Sequence, residues 1–432
     1  MLGTEGVAVT VIVVGYVLWW LVRMLSRSRT EFRIAVPLAV GFGLRLVVIA
    51  GIGITGLEKT LRGGDETTFL SYASFLAKQP LGHGYWPHGI FQLHTVLFAL
   101  EDRLGFMTVG AMRIVQVGLA LIGVVLILGA VYDLAGARAA RLAAWVIAFE
   151  PASIFFNSAL HKEPNMELAS GLIVFGGTML WRRLDVRAIL LFALGGLIAV
   201  ETRSYAGWFL VSAAAVILLH ASVRRVRRAT QAIPVLYAVV IAAFLITPTL
   251  LAASSNKNLH QLQQSQNANA NAIGTGSGGP NTDNLKLESI NFSSRGQILV
   301  HLPQRIRDII LKPYPWQLSD TNQRFGAIGT LVAYALLLLF VRYAWVSRGQ
   351  VFARAGPVLY PMIFLLIAYS LASGNAGTGF RYRTHLVTLT IAAIAILREQ
   401  ALLVRAARRA HEQKSMAGPG AEPPSEPLPS PA

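Results

Sequence analysis

The chain has no cysteine among its 432 residues, which excludes disulfide bonds, a thiolate metal site and a cysteine nucleophile. Charged residues are also scarce, at 14% against about 25% in a typical soluble domain. Hydrophobic residues make up 54% of the chain and gather in runs of about 20, the length that crosses a bilayer core. The sequence therefore predicts an all-α polytopic membrane protein.

Acidic residues are few, 21 against 38 basic ones, and the formal net charge is +17. In a soluble protein such an excess would suggest a nucleic-acid partner. Here the basic residues are scattered over many short loops and form no stripe, so we expect no nucleic-acid binding. An excess of Lys and Arg is instead what orients a membrane protein.

Eleven apolar segments have the length of a membrane-spanning helix. They lie near 6–22, 34–57, 110–132, 140–160, 165–181, 187–202, 205–221, 231–252, 325–345, 356–373 and 384–403. Segment 90–106 is apolar too, but Glu101, Asp102 and Arg103 interrupt it, so we expect it to lie at the interface or to re-enter.

The basic residues predict the orientation of these segments. Arg23, Arg27, Arg29 and Arg33 follow the first segment and none precedes it, which indicates a retained anchor with its N-terminus outside. Continuing this order puts 21 of the 38 basic residues on the cytoplasmic side. We therefore expect a multi-pass protein of the plasma membrane, with the N-terminus outside and the C-terminus cytoplasmic.

Composition divides the chain into five parts. Residues 253–296 are rich in Asn, Gln, Ser and Gly, and the tail is rich in Pro, so we expect a mobile external loop and a disordered end. The parts are an N-terminal span and basic loop (1–33), a membrane core (34–252) with a first external loop (58–109), an external loop (253–324), C-terminal spans (325–415) and a cytoplasmic tail (416–432).

A helix lying flat at the interface is predicted near 299–312. Its apolar residues recur at helical spacing: Leu299, Leu302, Ile306, Ile309 and Ile310. Arg305, Arg307 and Asp308 are expected to point elsewhere, and Tyr314 and Trp316 follow as an aromatic anchor. Such a helix either rests on the membrane surface or grips a lipid substrate, and the pattern does not choose between the two.

The first external loop contains an acidic pair, Asp65 and Glu66, directly after two glycines. A short helix follows, with Phe69, Tyr72 and Leu76 expected on one face. The pair suits a general base or a divalent-cation site, although an acidic residue at a helix start also serves simply as a cap. Further along the loop, polar aromatic residues are possible members of a site: His83, Tyr85 and His88.

Three other external turns carry ionisable groups. They contain His161, Lys162 and Glu163 in the second turn, Glu201 and Arg203 in the third, and Arg381 and Arg383 beside glycines in the last. Each group could instead be solvated or form a local ion pair. Together, the cations Lys162, Arg203, Arg381 and Arg383 suit a lipid phosphate, and the acids of the first and second turns suit deprotonation of an acceptor.

Arg45 lies inside the second predicted span. A charge there is costly in lipid, so the side chain must face the interior of the bundle or pair with a carboxylate. The sequence leaves open whether it is structural or lines a pocket.

The stretch GDETTFLSYASFLA and the following MRIVQVGLALIGVVLILGAVYDLAGARAARLAAWVIAFEPASIFFNSALHKEP resemble the GT-C superfamily of membrane glycosyltransferases. That superfamily includes protein O-mannosyltransferases and aminoarabinose transferases. The resemblance covers residues 40–220. It implies a multi-helix membrane fold, a polyprenyl-phosphate-linked sugar donor, membrane lipid around the site and a glycan, lipid or protein acceptor on the outer face. Asp65 would be the base, and Glu66 its neighbour or a cation ligand.

Three other functions remain open at this point. A polysaccharide polymerase or ligase would use a lipid-linked glycan and the same arginines. A flippase or other transporter of lipid-linked sugars would place ionisable residues at mid-membrane depth and show repeat symmetry. A non-catalytic assembly protein would need neither feature.

Overall fold

The computed structural model of the chain describes residues 2–55, 64–80, 92–106, 108–183, 185–224, 295–314, 316 and 321–416, with isolated positions between 242 and 287. These ranges form an all-helical membrane protein. The fourteen helices of this described part are α1 (Leu2–Ser26), α2 (Ala35–Thr55), α3 (Gly64–Lys78), α4 (Gln92–Arg103), α5 (Val109–Ala135), α6 (Ala137–Ala148), α7 (Pro151–Asn157), α8 (Glu163–Arg182), α9 (Val186–Thr202), α10 (Ser204–Val223), α11 (Arg295–Leu311), α12 (Thr321–Val346), α13 (Val351–Ala372) and α14 (Ala376–Met416).

Seven of these helices are long and apolar enough to cross a membrane: α1, α2, α5, α10, α12, α13 and α14. An eighth crossing results if α6 and α7, which meet at a 62° bend, form one broken span. Seven of the predicted segments are thus present as such helices, and the segment at 140–160 is the bent pair. The segment at 231–252 lies outside the described residues, as do most of 253–296 and residues 417–432.

The predicted spans 165–181 and 187–202 are helices α8 and α9, but neither is apolar and long enough to join the seven. Helix α8 is less apolar because protein, rather than lipid, surrounds it. It packs against α5, α9, α10, α13 and α14, so most of its surface contacts protein and its sequence tolerates Glu163 and Glu167. For α9 the reason is its length of 17 residues.

The α5–α8 crossing is a close contact that depends on two glycines. A Cβ atom at Gly123 would collide with the carbonyl oxygen of Glu167, and one at Gly171 would collide with the backbone of Gly123. Small residues let two membrane helices bring their backbones together in this way. Because Gly123 lies near the middle of α5, the crossing also sets the depth of Glu167 in the bundle.

Helices α3 and α4 form a small layer at one end of the bundle. Phe69 and Ala73 of α3 are buried with Phe98 of α4, and the two phenyl rings meet edge to face at 6.4 Å. Phe69, Tyr72 and Leu76 were expected on one face of α3. Phe69 is buried, whereas Tyr72 is exposed. Segment 90–106 is the helix α4, which packs on α3.

The predicted interfacial helix is α11, and its buried face contains charged residues beside Ile309. Arg305 and Asp308 are buried, whereas Leu299 and Val300 are exposed. Arg305 Nε donates to the carbonyl of Ser370 at 3.3 Å, and its Nη2 donates to the carbonyl of Ser373. The prediction that Arg305 and Asp308 point away was wrong, because the carbonyl groups at the end of α13 require hydrogen-bond donors.

Ion pairs and hydrogen bonds join residues that were predicted to share a side of the membrane. At one end of the bundle Asp133 binds Arg29 and Arg182. At the opposite end of α5 and α8, Glu163 binds Arg203 and Arg381. We call these the Asp133 end and the Glu163 end.

Candidate functional site

Two arginines from different turns meet on one carboxylate at the Glu163 end. Glu163 begins α8, Arg203 lies between α9 and α10, and Arg381 lies in the first turns of α14. Arg203 Nη2 donates to Glu163 Oε1 at 2.7 Å, and Arg381 Nη2 donates to Glu163 Oε2 at 3.2 Å. We call these three residues the Glu163 cluster.

The cluster is buried on one side and open on the other. Glu163 is fully buried and the Arg203 side chain is 6% exposed, but that of Arg381 is 25% exposed. Two guanidinium groups share one carboxylate. Arg203 Nη1 is buried without a hydrogen-bond partner. A buried guanidinium donor beside a positive charge favours an anion that reaches the cluster past Arg381.

The charges of the cluster are stable across the physiological pH range. Burial raises the pKa of the Glu163 carboxyl, but Arg381 and Arg203 outweigh burial and hold that pKa well below its usual range. Burial lowers the pKa of Arg203, and Glu163 reverses this and lifts it well above its usual range. The cluster therefore remains an ion cluster at neutral pH.

Tyrosine side chains fix the position of Arg203. Its guanidinium lies over the Tyr382 ring, 4.2 Å from the centroid. The Tyr382 and Tyr205 hydroxyls share a 3.1 Å hydrogen bond, and the Tyr382 ring lies 4.6 Å from that of Tyr369. Because the Tyr382 ring covers one face of the guanidinium and Glu163 binds it, Arg203 has little freedom to turn toward solvent.

The turn that carries His161 and Glu163 is tied to α5 by a single side chain. Gln116 Nε2 donates to the His161 carbonyl at 2.9 Å, and the His161 backbone N–H donates to Gln116 Oε1 at 3.1 Å. Both the amide and the turn are buried. The paired hydrogen bonds hold the start of α8 against α5, so Glu163 keeps its position opposite the arginines.

The loop predicted to be the first external one is tied to the same helix one turn earlier. Arg113 Nη2 lies 3.2 Å from Glu66 Oε2, and both side chains are buried. Glu66 thus holds α3 to α5, next to the turn that Gln116 fixes. Asp65 immediately precedes Glu66 on α3, and its side chain lies outside the described residues.

Arg383 lies outside the Glu163 cluster. Its Nη1 donates to the Ile310 carbonyl at 3.0 Å and its Nη2 to the Lys312 carbonyl at 2.8 Å. It therefore satisfies carbonyls at the end of α11, and two of its nitrogens are committed there. Arg381 and Arg383, predicted to bind one phosphate together, serve different elements. Lys162 is half-buried and stands directly before Glu163.

No cation site is formed by the described side chains. In the described ranges there is no group of three His, Asp or Glu residues that could hold a metal ion. Of the predicted cation ligands, Glu66 is paired with Arg113. His83, Tyr85 and His88 lie outside the described residues.

A second set of buried polar groups lies deeper in the bundle. Arg45 faces the interior, as predicted: its Nη1 donates to the Gly41 carbonyl and its Nη2 to Ser153 Oγ, both at 2.8 Å. A cavity of about 10 Å³ lies beside it, which is room for about one water molecule. Glu167, one helical turn below Glu163 on α8, is also fully buried.

Several of these residues escaped the sequence analysis. Arg113, Gln116, Glu167 and His385 fall inside or at the edge of predicted spans, where apolar neighbours mask them. The signal that drew attention to Arg45, a polar residue within an apolar run, applies equally to them. For Tyr205, Tyr369 and Tyr382 no such signal exists, because tyrosine is common at membrane interfaces.

Comparison with protein-family models, curated proteins and solved structures found no match to this chain. The fold and the apolar helices define its class, an α-helical multi-pass membrane protein.

Proposed function

We propose that this chain is a membrane glycosyltransferase that moves a sugar from a polyprenyl-phosphate carrier to an acceptor at the outer membrane face. The observation that carries the proposal is the convergence of Arg203 and Arg381 on Glu163 with one Arg203 nitrogen unpartnered. A lipid phosphate offers oxygens that accept hydrogen bonds from guanidinium groups. Its approach past the partly exposed Arg381 would satisfy the buried donor.

In this proposal Asp65 is the general base. It takes the proton of the acceptor hydroxyl as the hydroxyl oxygen forms a bond to the anomeric carbon. The bond from that carbon to the phosphate oxygen breaks with inversion, and its electron pair leaves with the polyprenyl phosphate. Arg203, Arg381 and Lys162 stabilise the growing negative charge.

The other residues of the site position these groups. Glu66, paired with Arg113, holds the start of α3 at the Glu163 end. Because the Glu66 carboxylate is paired with Arg113, Asp65 alone acts as the base. Arg383 fixes the end of α11 beside the cluster. Gln116 holds the His161–Glu163 turn against α5.

The test measures donor binding and transfer separately, in full-length protein reconstituted in lipid. The binding probe is a long-chain polyprenyl phosphate, and transfer is followed as sugar release from a panel of polyprenyl-phosphate hexoses. Asp65→Asn should retain binding but lose about 10²–10⁴-fold in turnover, the usual loss for a general base. Arg381→Gln should weaken binding, whereas Arg348→Gln at the Asp133 end should not. Turnover of Asp65→Asn within about threefold of the parent would contradict the base role.

A transporter of lipid-linked sugars is the second candidate. The observation that favours it is the presence of ionisable side chains deep in the bundle, namely Arg45, Glu167 and His385. Such groups are typical of transport pathways. A transporter would move the labelled lipid across liposomes without releasing its sugar, and Asp65→Asn would leave this movement intact.

A further inference from the structure

A buried polar seam runs inward from the Glu163 cluster between α8 and α14. On α8, Glu163, Glu167 and Ser170 follow one another at helical spacing. On α14, Arg381, Thr384, His385 and Thr388 do the same. Glu163 binds Arg381 at the outer end of the seam, and Glu167 faces Thr388 further in. Apart from Arg381, every member of the seam is buried.

Glu167 lies near the middle of the membrane-crossing part of the bundle. Its backbone contacts Gly123, which lies close to the centre of the 27-residue helix α5. A helix of that length reaches across the whole hydrocarbon core. Glu167 therefore lies inside the bundle, one helical turn inward from the Glu163 cluster.

The Glu167 carboxyl group lacks the partners that an ionised acid needs. Both of its oxygens are buried and form no hydrogen bond of good geometry among the described residues, although the Thr388 hydroxyl lies near them. Thr388 directs its hydroxyl hydrogen to the Thr384 carbonyl at 3.4 Å instead. Arg45 acts on Glu167 electrostatically, but its hydrogen bonds go to Gly41 and Ser153. An ionised carboxylate in this position would be very costly, whereas a protonated one is tolerated.

We propose that Glu167 is a proton-binding site inside the bundle that is occupied at neutral pH. The bound proton forms an O–H bond on the carboxyl group, which becomes neutral and can donate toward Thr388 Oγ1. Two further hydrogen-bonded pairs lie beside the seam. His385 Nε2 and the Tyr369 hydroxyl lie 2.5 Å apart, and the Tyr382 ring, which is tilted against that of Tyr369, is bonded through its hydroxyl to Tyr205.

Charged and titratable groups from three other elements act on this site. They are Arg45 of α2, Glu150 at the bend before α7, and Tyr369 of α13.

Infrared spectroscopy tests this directly, because a protonated carboxyl group has a carbonyl band separate from those of carboxylates and amides. The sample is the full chain in lipid nanodiscs at pH 7. The difference between the parent and Glu167→Gln should contain one protonated-carboxyl band. The matched control is Glu163→Gln on the same helix, which should instead lose a carboxylate band. A Glu167→Gln difference that contains a carboxylate band, or no carboxyl band at all, would overturn the proposal.

A second variant covers the case in which Glu167→Gln does not fold. Glu167→Asp keeps the acid but shortens the side chain, so the protonated-carboxyl band should shift in frequency and remain. A protonated-carboxyl band that is unmoved in Glu167→Asp would place the proton on another residue. Thermal stability adds an independent measure. Glu167→Gln should unfold at a temperature close to that of the parent if the acid is neutral. If the acid is ionised and stabilised by Arg45, the variant should unfold at a much lower temperature.

Discussion

Arg203 and Glu163 form a 2.7 Å ion pair although they lie 40 residues apart in the chain. A comparable pair closes the other end of the bundle, where Arg29 binds Asp133 with Nε at 3.0 Å and Nη2 at 2.6 Å. The two ends differ in whether every nitrogen of the arginine guanidinium has a hydrogen-bond partner. All three nitrogens of Arg29 donate hydrogen bonds, whereas Arg203 Nη1 has no partner. The Asp133 end is therefore a complete structural clamp, and the Glu163 end retains a donor for a ligand.

Arg381 and Arg383 should respond differently to replacement by lysine. Arg381→Lys keeps the charge but loses the planar fork, so polyprenyl-phosphate affinity should fall about tenfold or more, since one lost charge-assisted hydrogen bond is worth about 1.5–3 kcal/mol. Arg383→Lys cannot reach the carbonyls of both Ile310 and Lys312, so it should lower thermal stability and leave affinity nearly unchanged. The measurement is titration with the lipid and a thermal melt for each variant. Equal affinity losses in the two variants would put both arginines at the ligand.

The Glu66–Arg113 pair should behave as a unit. Glu66→Gln leaves the Arg113 charge buried at 3% side-chain exposure, and removal of one partner of a buried pair costs about 3–5 kcal/mol. The double variant Glu66→Gln/Arg113→Gln removes both charges and should recover part of that loss. A double-mutant cycle in chemical unfolding measures the coupling. Additive losses would show that the two side chains do not interact.

Gly123→Ala should be strongly destabilising, although alanine is the better helix former by about 1 kcal/mol. The added methyl group would collide with the Glu167 carbonyl, and α5 and α8 would have to separate, at a cost of about 1–3 kcal/mol or more. Gly51→Ala on α2 is the matched control, since nothing lies within 4 Å of its added Cβ. The midpoint of thermal unfolding should be well below that of the parent for Gly123→Ala, and equal to or above it for Gly51→Ala.

The sequence predicts the apolar helices well because the requirement is local: a run of about 20 apolar residues is enough. The sequence predicts that Arg203 and Arg381 lie close together only if the turns predicted to be external are assumed to meet. In the structure both arginines bind Glu163, and Arg383 lies apart from them. The difference depends on the position of α11, which no pattern near residue 383 encodes. The burial of Arg305 on α11 has a similar cause, because the carbonyls that it satisfies lie at the end of α13.

Cysteine labelling tests the predicted orientation, and the chain has no native cysteine to interfere. Lys78 lies at the exposed end of α3, and Gly349 lies in the exposed turn between α12 and α13. Each is replaced by cysteine in a separate variant. With an impermeant maleimide on intact cells, position 78 should be labelled at once and position 349 only after permeabilisation. The opposite pattern would invert the topology and put the Glu163 cluster on the cytoplasmic side.

Glu101 of α4 connects this helix to α1. Its Oε1 accepts a 3.3 Å hydrogen bond from the Thr10 hydroxyl, and its Oε2 is buried without a partner. Burial raises the pKa of this carboxyl from its ordinary value of 4.5 to about 7, and the Thr10 bond offsets only part of that effect. The acid therefore keeps its proton in the folded protein at pH values where the unfolded chain has released it.

The stability of the parent should consequently decrease as pH rises from 4.5 to about 7 and change little through this group above that range, since only then is the carboxyl ionised in both states. Glu101→Gln removes the titration, so its thermal midpoint should exceed that of the parent at pH 8 and approach it at pH 4. Glu5→Gln on α1 removes an exposed carboxylate instead and serves as the control. Melts of the three proteins in lipid nanodiscs across this range provide the measurement. A difference between Glu101→Gln and the parent that is the same at pH 4 and pH 8 would mean that Glu101 titrates alike in the folded and unfolded chain.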